Sequence, residues 1–552
     1  MYKNILFLLA LCIGTVLSRE VNFRVIAFGN RVQVNVNGQI YNLKLKKDDD
    51  ILYVGKLETA PDEKFNYYYI VDGKKETFTR VCKKSTVYTN LDFFERKDTV
   101  KTLKTFSYPN GKWDKSIGRT LLFDQSYIPT IHITGDTVNQ LMKKPTNNYF
   151  NLEKVTFYLK SGKKVFTNVK ANPKNWGFAK FQIRMQLQNG ENLYGRTLFK
   201  LRNGGEDPLN MRQLIYGNII EALGIPSIKS VMVRVYYNKK PAGFYTLQEE
   251  AFSDSFVKAE FHGDPTTEKI KDVMIGTPLN GDSGAEYSYS TNLSHYKQFK
   301  SNDQNPNKTK LQALTKAIEN LNTNNTNELK NFEKQWFDID SFHKAMAMEY
   351  LTADWDGYWY SNANFASYDD PTQSTKTTFK HYFITQDHDE TWGVGLIEPH
   401  NVDGYDHPKL SYKTLLRKEW DVGSPHRILV DKFIASTPAL QKRFENTLTS
   451  IVENIFNPVA FKEVVDTHYA RYQPEMEWDF SFTHEYKPSA AASKDMPVYY
   501  YKDFENNLTK GVGGLKWGLY TWVELRAEAI KNEFCITWNG DANPPKKCTR
   551  ND

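Results

Sequence analysis

The hydrophobic pattern of this chain changes once along its length, and this change constrains the fold more than any other feature. Up to about residue 250, apolar and polar residues mostly alternate, as in RVQVNVNG, KVTFYLKSG and SVMVRVYY, which predicts strands. Beyond residue 310, apolar residues recur at helical spacings, as in KLQALTKAIENLN and ALQKRFENTLTSIVENIF. A chain in which most strands precede most helices belongs to the α+β class.

Turn signals and composition divide the chain into segments. Turns at Asn37-Gly38 and Asp72-Gly73 separate short strands that predict a small N-terminal β-sandwich. Later on, a strand-rich lobe gives way to a polar insertion rich in Gly, Asn, Ser and Thr, and then to a helical lobe. The predicted boundaries are 19–110 for the sandwich, 111–124 for a linker, 125–258 for the strand-rich lobe, 259–337 for the insertion with connecting helices, 338–532 for the helical lobe and 533–552 for the tail.

The N-terminal stretch MYKNILFLLALCIGTVLS places a basic residue before an apolar run and ends in small residues. This arrangement predicts a signal peptide over residues 1–18 and a secreted or cell-surface protein. No second apolar stretch of about 20 residues is present, so no transmembrane span is expected, and the polar tail lacks a lipid-anchor signal. Four Asn-x-Ser/Thr sequons predict glycosylated surface loops at Asn292, Asn307, Asn324 and Asn507.

Charge and cysteine content exclude several classes of protein. The formal net charge of +7 over 552 residues is small, and no dense Lys/Arg stripe interleaved with aromatic residues supports nucleic-acid binding. Once Cys12 leaves with the signal peptide, Cys82, Cys535 and Cys548 are too few for a disulfide framework. Cys535 and Cys548 could close a C-terminal loop, which would leave Cys82 without a partner.

Carboxylates and amides are concentrated in two short stretches, YLTADWDGYWYSNANF and ITQDHDETWG. Carboxylates repel one another unless a cation or a proton lies between them, and hard cations such as Mg²⁺ prefer oxygen ligands. Each stretch alone is also compatible with capping and turn roles. Together they predict a functional site built from Asp354, Asp356, Asn362, Asn364, Asp387 and Asp389.

A basic pair in the predicted strand RTLFKLRNGG adds to this site. Lys200 and Arg202 are two residues apart, so a strand presents both on one face, where they can bind an anion or form a solvated polar face. Phosphoryl transfer needs such cations together with a carboxylate base and metal ligands. A glycosidase that uses Asp356 and Asp387 as an acid and nucleophile pair is a further possibility, and it has no need of Lys200.

The order of these motifs carries a resemblance to a known family. FKLR, the helix region with Asp207, Met211 and Arg212, the strand GFYTLQEE with Gly243, Tyr245 and Glu249, and then DWDGYWYSNANF and DHDETWG resemble the spore-coat CotH kinase family. The similarity covers about residues 125–530 and is strongest to the secreted CotH-like invasins of mucoralean fungi. It implies an atypical protein-kinase-like, two-lobed fold that uses ATP with Mg²⁺ or Mn²⁺ to phosphorylate Ser or Thr of secreted or surface proteins.

The resemblance also implies roles for individual residues. Lys200 and Arg202 would bind the nucleotide phosphates, and Glu249 would lie near the nucleotide at the lobe junction. Asp356 would be the catalytic base. The metal ligands would be Asp387, Asp389 and Asn362, although the sequence leaves open whether Asn362 or Asn364 is used. The chain lacks a G-x-G-x-x-G loop before Lys200, and DHD stands where ordinary kinases carry Asp-Phe-Gly.

The alternative is an adhesin that binds a host cell-surface receptor through its loops, with an inactive kinase-like scaffold. The polar insertion favours this function because long loops on a rigid scaffold commonly carry binding sites. The invasins carry a host-binding motif in the corresponding insertion. Here that region begins MIGTPLNGDSG, which points to Met274, Gly276 and Thr277 as a possible ligand-binding loop.

Overall fold

The structure is a computed structural model that describes residues 18–109, 111–303, 305–402, 404–416 and 427–545. The predicted signal peptide, apart from Ser18, lies outside the described residues, as does Cys548. The α+β prediction is confirmed, since an N-terminal sheet is followed by mixed sheets and then by helices. Cys82 is a buried free thiol, and Cys535 is disulfide-bonded.

One compact unit comprises the residues up to Lys101 together with Tyr158–Lys163. Its strands form a continuous sheet in the order β6-β5-β2-β3-β4-β1-β8, with β7 paired to β5. The β2–β3 hairpin turns at Asn37 and Gly38, whose φ angles of 49° and 91° are those that a type I′ turn requires. The strands are β1 (Ser18–Ile26), β2 (Val32–Val36), β3 (Gln39–Leu45), β4 (Leu52–Pro61), β5 (Phe65–Val71), β6 (Lys74–Lys75), β7 (Arg80–Cys82) and β8 (Asp92–Phe93).

The core of this unit shows how the sheet is folded. Phe23 of β1 packs against Tyr67 of β5 with ring centroids 5.2 Å apart, although β2, β3 and β4 lie between these strands in the sheet. The sheet must therefore curl so that its two halves face each other across a core of alternate, inward-facing residues. The two layers of the predicted sandwich are therefore the two halves of one continuous sheet.

The second unit comprises Thr102–Phe157 and Lys164–Asp552. Its strand-rich part is a closed barrel in the order β10-β11-β12-β13-β15-β14-β9. These strands are β9 (Thr130–Thr134), β10 (Phe150–Tyr158), β11 (Lys163–Lys174), β12 (Gln182–Gln186), β13 (Leu198–Arg202), β14 (Ser230–Tyr237) and β15 (Lys240–Gln248). The accompanying helices are α1 (Asp136–Lys143), α2 (Arg212–Ala222) and α3 (Asp254–Phe261).

The remaining part of the second unit is mostly helical. Its helices are α4 (Thr309–Asn320), α5 (Thr326–Gln335), α6 (Ile339–Thr352), α7 (Tyr358–Ser361), α8 (Tyr412–Leu416), α9 (Ile428–Val430), α10 (Pro438–Asn454), α11 (Pro458–Phe480), α12 (Tyr501–Asn506) and α13 (Leu519–Phe534). A small sheet has the order β19-β18-β20-β21, and a separate β16–β17 pair precedes it. Their bounds are β16 (Gly263–Asp264), β17 (Lys269–Ile270), β18 (Leu279–Gly281), β19 (Phe299–Lys300), β20 (Phe365–Asp369) and β21 (His381–Thr385).

One hydrophobic core joins the barrel side to the helices. It includes Ile215 of α2, Phe244 of β15, Met346 of α6 and Phe461 of α11. Because these elements share a packed core, polar residues at the ends of β13, α6 and β21 can be held at fixed positions. None of the helices that the structure describes is both long and apolar enough to cross a membrane.

The sequon at Asn507 is not in a surface loop, which corrects the prediction for that residue. Its side chain is fully buried. Asn507 Oδ1 accepts a hydrogen bond of 2.8 Å from Arg212 Nη2, and its Nδ2 donates to the carbonyl oxygen of Lys510 at 3.0 Å. The sequon pattern is local, whereas burial depends on packing. The other sequon asparagines, Asn292, Asn307 and Asn324, are exposed.

We expect Asn507→Ala to lower the free energy of unfolding by about 1–3 kcal/mol, because it leaves a buried Arg212 N–H without an acceptor. Chemical denaturation of wild type and variant measures this, with Asn324→Ala as the exposed control that changes little. Peptide mass spectrometry of protein from a glycosylating host is expected to find unmodified Asn507. A glycan on Asn507 in folded protein, or equal stability of the two variants, would contradict this account.

Candidate active site

Polar side chains from the barrel and from the helical part of the second unit line one cavity of about 360 Å³, which we call the acidic cavity. The barrel contributes residues of β11, β12 and β13, and the helical part contributes the loops after α6 and β21. The lining residues are Lys174, Asn175, Gln182, Arg184, Lys200, Arg202, Glu206, Glu250, Asp356, Asn364, Asp387, Asp389 and Glu390. The cavity thus collects residues from both predicted acidic stretches and the predicted basic pair.

Local backbone geometry presents these residues. Helix α6 ends at Ala353, whose φ of 46° is left-handed, and the chain turns directly into Asp354 and Asp356. Asn364 and Asp387 also have left-handed φ angles, of 51° and 64°. Such angles are uncommon for residues other than glycine and tend to occur at functional sites.

The two basic residues of β13 neutralise the carboxylates that follow β21. Lys200 Nζ lies 3.4 Å from Asp387 Oδ2, and Arg202 forms ion pairs with both Asp387 and Asp389. Burial disfavours ionisation of Asp387, but the charges of Arg202 and Lys200 outweigh it and hold the pKa of Asp387 well below its usual range. Asp387 is therefore a carboxylate at all physiological pH values.

Three other carboxylates of the acidic cavity, those of Asp356, Glu390 and Glu206, form no such ion pair with a cation in the described part of the chain. Burial, followed by repulsion from Asp354 and Glu390, raises the pKa of Asp356 well above its usual value. Burial and the charge of Asp389 raise the pKa of Glu390 to about 7 and that of Glu206 to about 8. Because more carboxylates than cations surround these groups, the binding of a proton or a metal ion beside them is favoured.

The donor atoms fit a magnesium ion that arrives together with phosphates. Asp356 Oδ2 accepts a hydrogen bond from Asn364 Nδ2, while Asp356 Oδ1 is buried with no hydrogen-bond partner. Within the described ranges, no three His, Cys, Asp or Glu side chains form a group that would hold a metal by themselves. Mg²⁺ does not need such a group, because it is usually bound by one or two carboxylates, substrate phosphates and water.

The structure distinguishes the two amides that the sequence left open. Asn364 lines the acidic cavity and contacts Asp356. Asn362 is 6% exposed and forms the C-cap of α7. Its backbone carbonyl oxygen accepts a hydrogen bond of 3.0 Å from the Gly284 N–H. The amide beside the predicted base is therefore Asn364, while Asn362 Oδ1 is buried with no hydrogen-bond partner, and the choice of Asn362 as a metal ligand stays a prediction.

Glu249 lies beside the acidic cavity. It is buried, pairs with Arg196 Nε at 2.8 Å and accepts the Lys229 N–H at 3.2 Å. It lines a smaller adjacent cavity of about 170 Å³, which shares Lys200, Arg202, Glu250, Asn364 and Asp387 with the acidic cavity. Ile228, Ala251 and Phe252 give the adjacent cavity an apolar wall.

A buried pair that sequence reasoning missed supports the DHD segment. His388 Nδ1 lies 2.7 Å from Asp354 Oδ2, and its ring stacks on Tyr216 of α2 with centroids 3.6 Å apart. Its backbone N–H donates to Gln213 Oε1 at 2.6 Å. Because His388 is anchored away from the acidic cavity, its neighbours Asp387 and Asp389 both line it. Glu390 and Glu206 were also missed, although both directly follow predicted site motifs.

The predicted ligand-binding loop lies elsewhere. Met274 is 79% exposed. Gly276 lies against the Asp369 backbone of β20, and the Thr277 N–H donates to Asp369 Oδ1 at 3.0 Å. These contacts fix one end of the loop to the small sheet and leave Met274 accessible to solvent.

The raised pKa values lead to a prediction about pH. Since Glu390 and Glu206 bind protons more tightly in the folded state, the stability that they contribute is complete below about pH 4.5 and is lost as pH rises through 7 to 8. Metal-free protein is therefore expected to have a lower melting temperature at pH 8.5 than at pH 6. Glu390→Gln and Glu206→Gln are expected to reduce this difference.

Differential scanning fluorimetry in EDTA measures the pH effect, and Asp340→Asn serves as a control on exposed helix surface. If a divalent cation with nucleotide binds among these carboxylates, it should raise the melting temperature more at pH 8.5 than at pH 6. If the melting temperature of both Gln variants falls with pH as much as that of wild type, Glu390 and Glu206 are not the source of the pH effect.

Comparisons with known proteins show the family of the chain. The chain belongs to the CotH kinase protein family, whose family model matches residues 167–510, a span that includes every residue lining the acidic cavity. The resemblance found in the sequence is thereby confirmed.

Several curated proteins are similar to the chain along most of its length. Spore coat protein homolog 1 of Rhizopus delemar is 28% identical over 558 residues, which cover 98% of this chain and 86% of that protein. Invasin CotH3 of the same organism is 29% identical over 550 residues, covering 94% and 85%. Invasin CotH7, also from Rhizopus delemar, is 28% identical and covers 93% and 84%.

Proposed function

We propose that this protein is an atypical protein kinase that transfers the γ-phosphate of ATP to Ser or Thr hydroxyls of secreted or surface proteins. The observation that carries the proposal is the acidic cavity, where two cations of β13 meet carboxylates from the loops after α6 and β21. Phosphoryl transfer requires this combination, because catalysis rests on positioning and on charge stabilisation around the phosphates.

The chain's own residues supply the parts of such a site. Lys200 and Arg202 would bind phosphate oxygens, and Asp387 and Asp389 would hold Mg²⁺ or Mn²⁺ beside them. The metal would neutralise charge on the transferred group. Since Arg202 now pairs with both carboxylates, nucleotide and metal would enter by exchanging partners with an existing ion-pair network.

The nucleobase would occupy the adjacent cavity. Its wall contains apolar side chains of Ile228 and Phe252, while residues 248–252 run directly from strand β15 into the segment before α3. Glu249 would act at this position by fixing the backbone, through Arg196 and the Lys229 N–H, more than by direct contact with the nucleotide. A purine fits such a site because it has an apolar face and polar edges.

Asp356 would accept the proton of the substrate hydroxyl. A general base works best when its pKa lies near the operating pH, and burial together with neighbouring carboxylates raises the pKa of Asp356. Asn364 Nδ2 donates to one carboxylate oxygen and so orients the other, which has no partner. A metal ion near Asp387 would offset the repulsion and keep Asp356 ionised for the reaction.

The test is transfer of labelled γ-phosphate from ATP to a panel of secreted proteins and to the protein itself, with Mg²⁺ or Mn²⁺. Wild type is expected to transfer label and to gain thermal stability with ATP and metal together. Asp387→Asn is expected to lose both responses, whereas Asp340→Asn keeps them. Wild type that neither binds nucleotide nor transfers label would overturn the proposal.

A second function, a role in invasion as an adhesin, is favoured by two of the relatives, which are named invasins. The exposed Met274 in the segment anchored by Gly276 and Thr277 offers a contact residue for a host cell-surface receptor. Met274→Asp would then reduce binding of the purified protein to host cells, while Asp387→Asn would not. If Met274→Asp and wild type bind host cells equally well, the loop that contains Met274 does not contact the receptor.

A further inference from the structure

A second cavity lies in the helical part, and its lining has no residue in common with the acidic cavity. It has a volume of about 290 Å³ and is bounded by residues of α6, α7, α8 and α13 together with the segment 405–410. The residues used below are Arg526, His407, Tyr350, Tyr360, Leu410 and Leu415. We call it the Arg526 cavity.

The guanidinium group of Arg526 is fully buried and largely without partners. Nη1 donates to the Leu410 carbonyl oxygen at 2.8 Å, but Nε and Nη2 have no hydrogen-bond partner. Arg526 forms no ion pair with any residue in the part of the chain that the structure describes. A buried arginine normally pairs with a carboxylate, because an uncompensated charge is costly in a low-dielectric interior.

Two other buried arginines, Arg80 and Arg212, show the usual arrangement. Arg80 pairs with Glu76 and Asp92, and Arg212 pairs with Asp207 and Asn507. Arg526 instead has an aromatic face, with its guanidinium carbon 4.3 Å from the Tyr350 ring centroid. This contact fixes the plane of the guanidinium group, and Nε and Nη2 remain without a hydrogen-bond partner.

Further donors face the same space. His407 is buried, and its Nδ1 has no hydrogen-bond partner, while its Nε2 lies 3.5 Å from the Tyr360 hydroxyl. Burial, reinforced by the charge of Arg526, holds the pKa of His407 well below its usual value, so the imidazole is neutral and can donate one N–H. The side chains of Leu410 and Leu415 complete an apolar rim.

From the cavity, the two N–H groups without partners and the lack of a counter-charge among the described residues, we propose that the Arg526 cavity binds a small organic or inorganic oxyanion. A carboxylate or phosphate supplies two acceptor oxygens at the spacing of the guanidinium fork and the negative charge that Arg526 lacks. The tyrosine rings and leucines favour a carboxylate attached to a compact ring or short chain. This inference does not depend on the proposed kinase function.

The experiment measures anion-dependent stability and direct binding, with benzoate and inorganic phosphate as probes. Wild type is titrated with each salt against sodium chloride of equal ionic strength, by thermal shift and isothermal titration calorimetry. At least one oxyanion is expected to raise the melting temperature saturably. The proposal further predicts that Arg526→Met stays folded, since methionine removes a buried guanidinium group but retains the packing of the aliphatic part of the side chain. The melting temperature of this variant should no longer rise with the oxyanion.

Controls separate this site from others. Arg443→Met removes a guanidinium group that is paired with Glu333, and its anion response should equal that of wild type. Lys200→Met should keep the benzoate response, because it changes the acidic cavity and leaves the lining of the Arg526 cavity intact. If Arg526→Met does not fold, Arg526→Lys keeps the charge without the planar fork and should bind the oxyanion at least about tenfold more weakly.

Each outcome of the benzoate and phosphate titrations either identifies the class of ligand or overturns the proposal. A saturable response to benzoate alone identifies a carboxylate site, and one to phosphate that survives Lys200→Met identifies a phosphate site. Absence of saturable binding by both probes, or equal binding by wild type and the Arg526 variants, would show that the cavity holds water and overturn the proposal.

Discussion

Replacing Asp356 by asparagine is expected to lower the rate of phosphoryl transfer by about 10²–10⁴-fold, the usual contribution of a general base. The amide cannot accept the proton of the substrate hydroxyl, whereas the phosphate-binding residues Lys200 and Arg202 are unchanged. Affinity for ATP and metal should therefore change much less than the rate. Single-turnover transfer of labelled phosphate measures the rate, and a nucleotide thermal shift measures binding.

The same variant is expected to be at least as stable as wild type when metal is absent. Burial and repulsion from Asp354, Glu390 and Asp387 disfavour the ionised form of Asp356, so a neutral amide at this position removes a group whose ionisation costs stability. A residue with a purely structural role would show the opposite, since its loss would lower the melting temperature. Asp356→Asn protein that transfers phosphate at the wild-type rate would exclude Asp356 as the base.

Replacing Arg202 by methionine is expected to lower the free energy of unfolding by about 3–5 kcal/mol, the range found when one partner of a buried ion pair is removed. Arg202 is 3% exposed and is the residue that pairs with both Asp387 and Asp389. Without it, two carboxylates would remain close to Glu206 and Glu390. Urea denaturation in EDTA measures the loss.

Lys200→Met is the matched control for Arg202→Met. Its Nζ is 3.4 Å from Asp387, and its side chain is 21% exposed, so the loss should be about 1 kcal/mol or less. Added Mg²⁺ should restore part of the stability of Arg202→Met, because a cation can replace the lost charge between the carboxylates. Equal effects of the two substitutions would show that Arg202 does not organise the site.

The sequence predicted more of the acidic cavity than of its surroundings. Lys200 and Arg202 share one face of a strand because strand residues two apart always do, and the acidic loops were visible as dense local clusters. Glu206 and Glu390 were not predicted as site residues, since each becomes important only through its burial among the carboxylates of the acidic cavity, and burial depends on packing. Asn507 was placed wrongly because a sequon describes three consecutive residues and gives no information about their burial.

The sequence by itself determined the α+β class, the family and the order in which the site motifs occur, because hydrophobic periodicity and motif spacing are local properties of the chain. The tertiary structure decided which side chains meet. Arg202 and Asp389 are 187 residues apart, and Arg212 and Asn507 are 295 apart, so their pairing depends on how barrel and helices pack around one core. The lack of an ion-pair partner for Arg526 among the described residues was likewise invisible in the sequence, since it is a property of the surrounding structure.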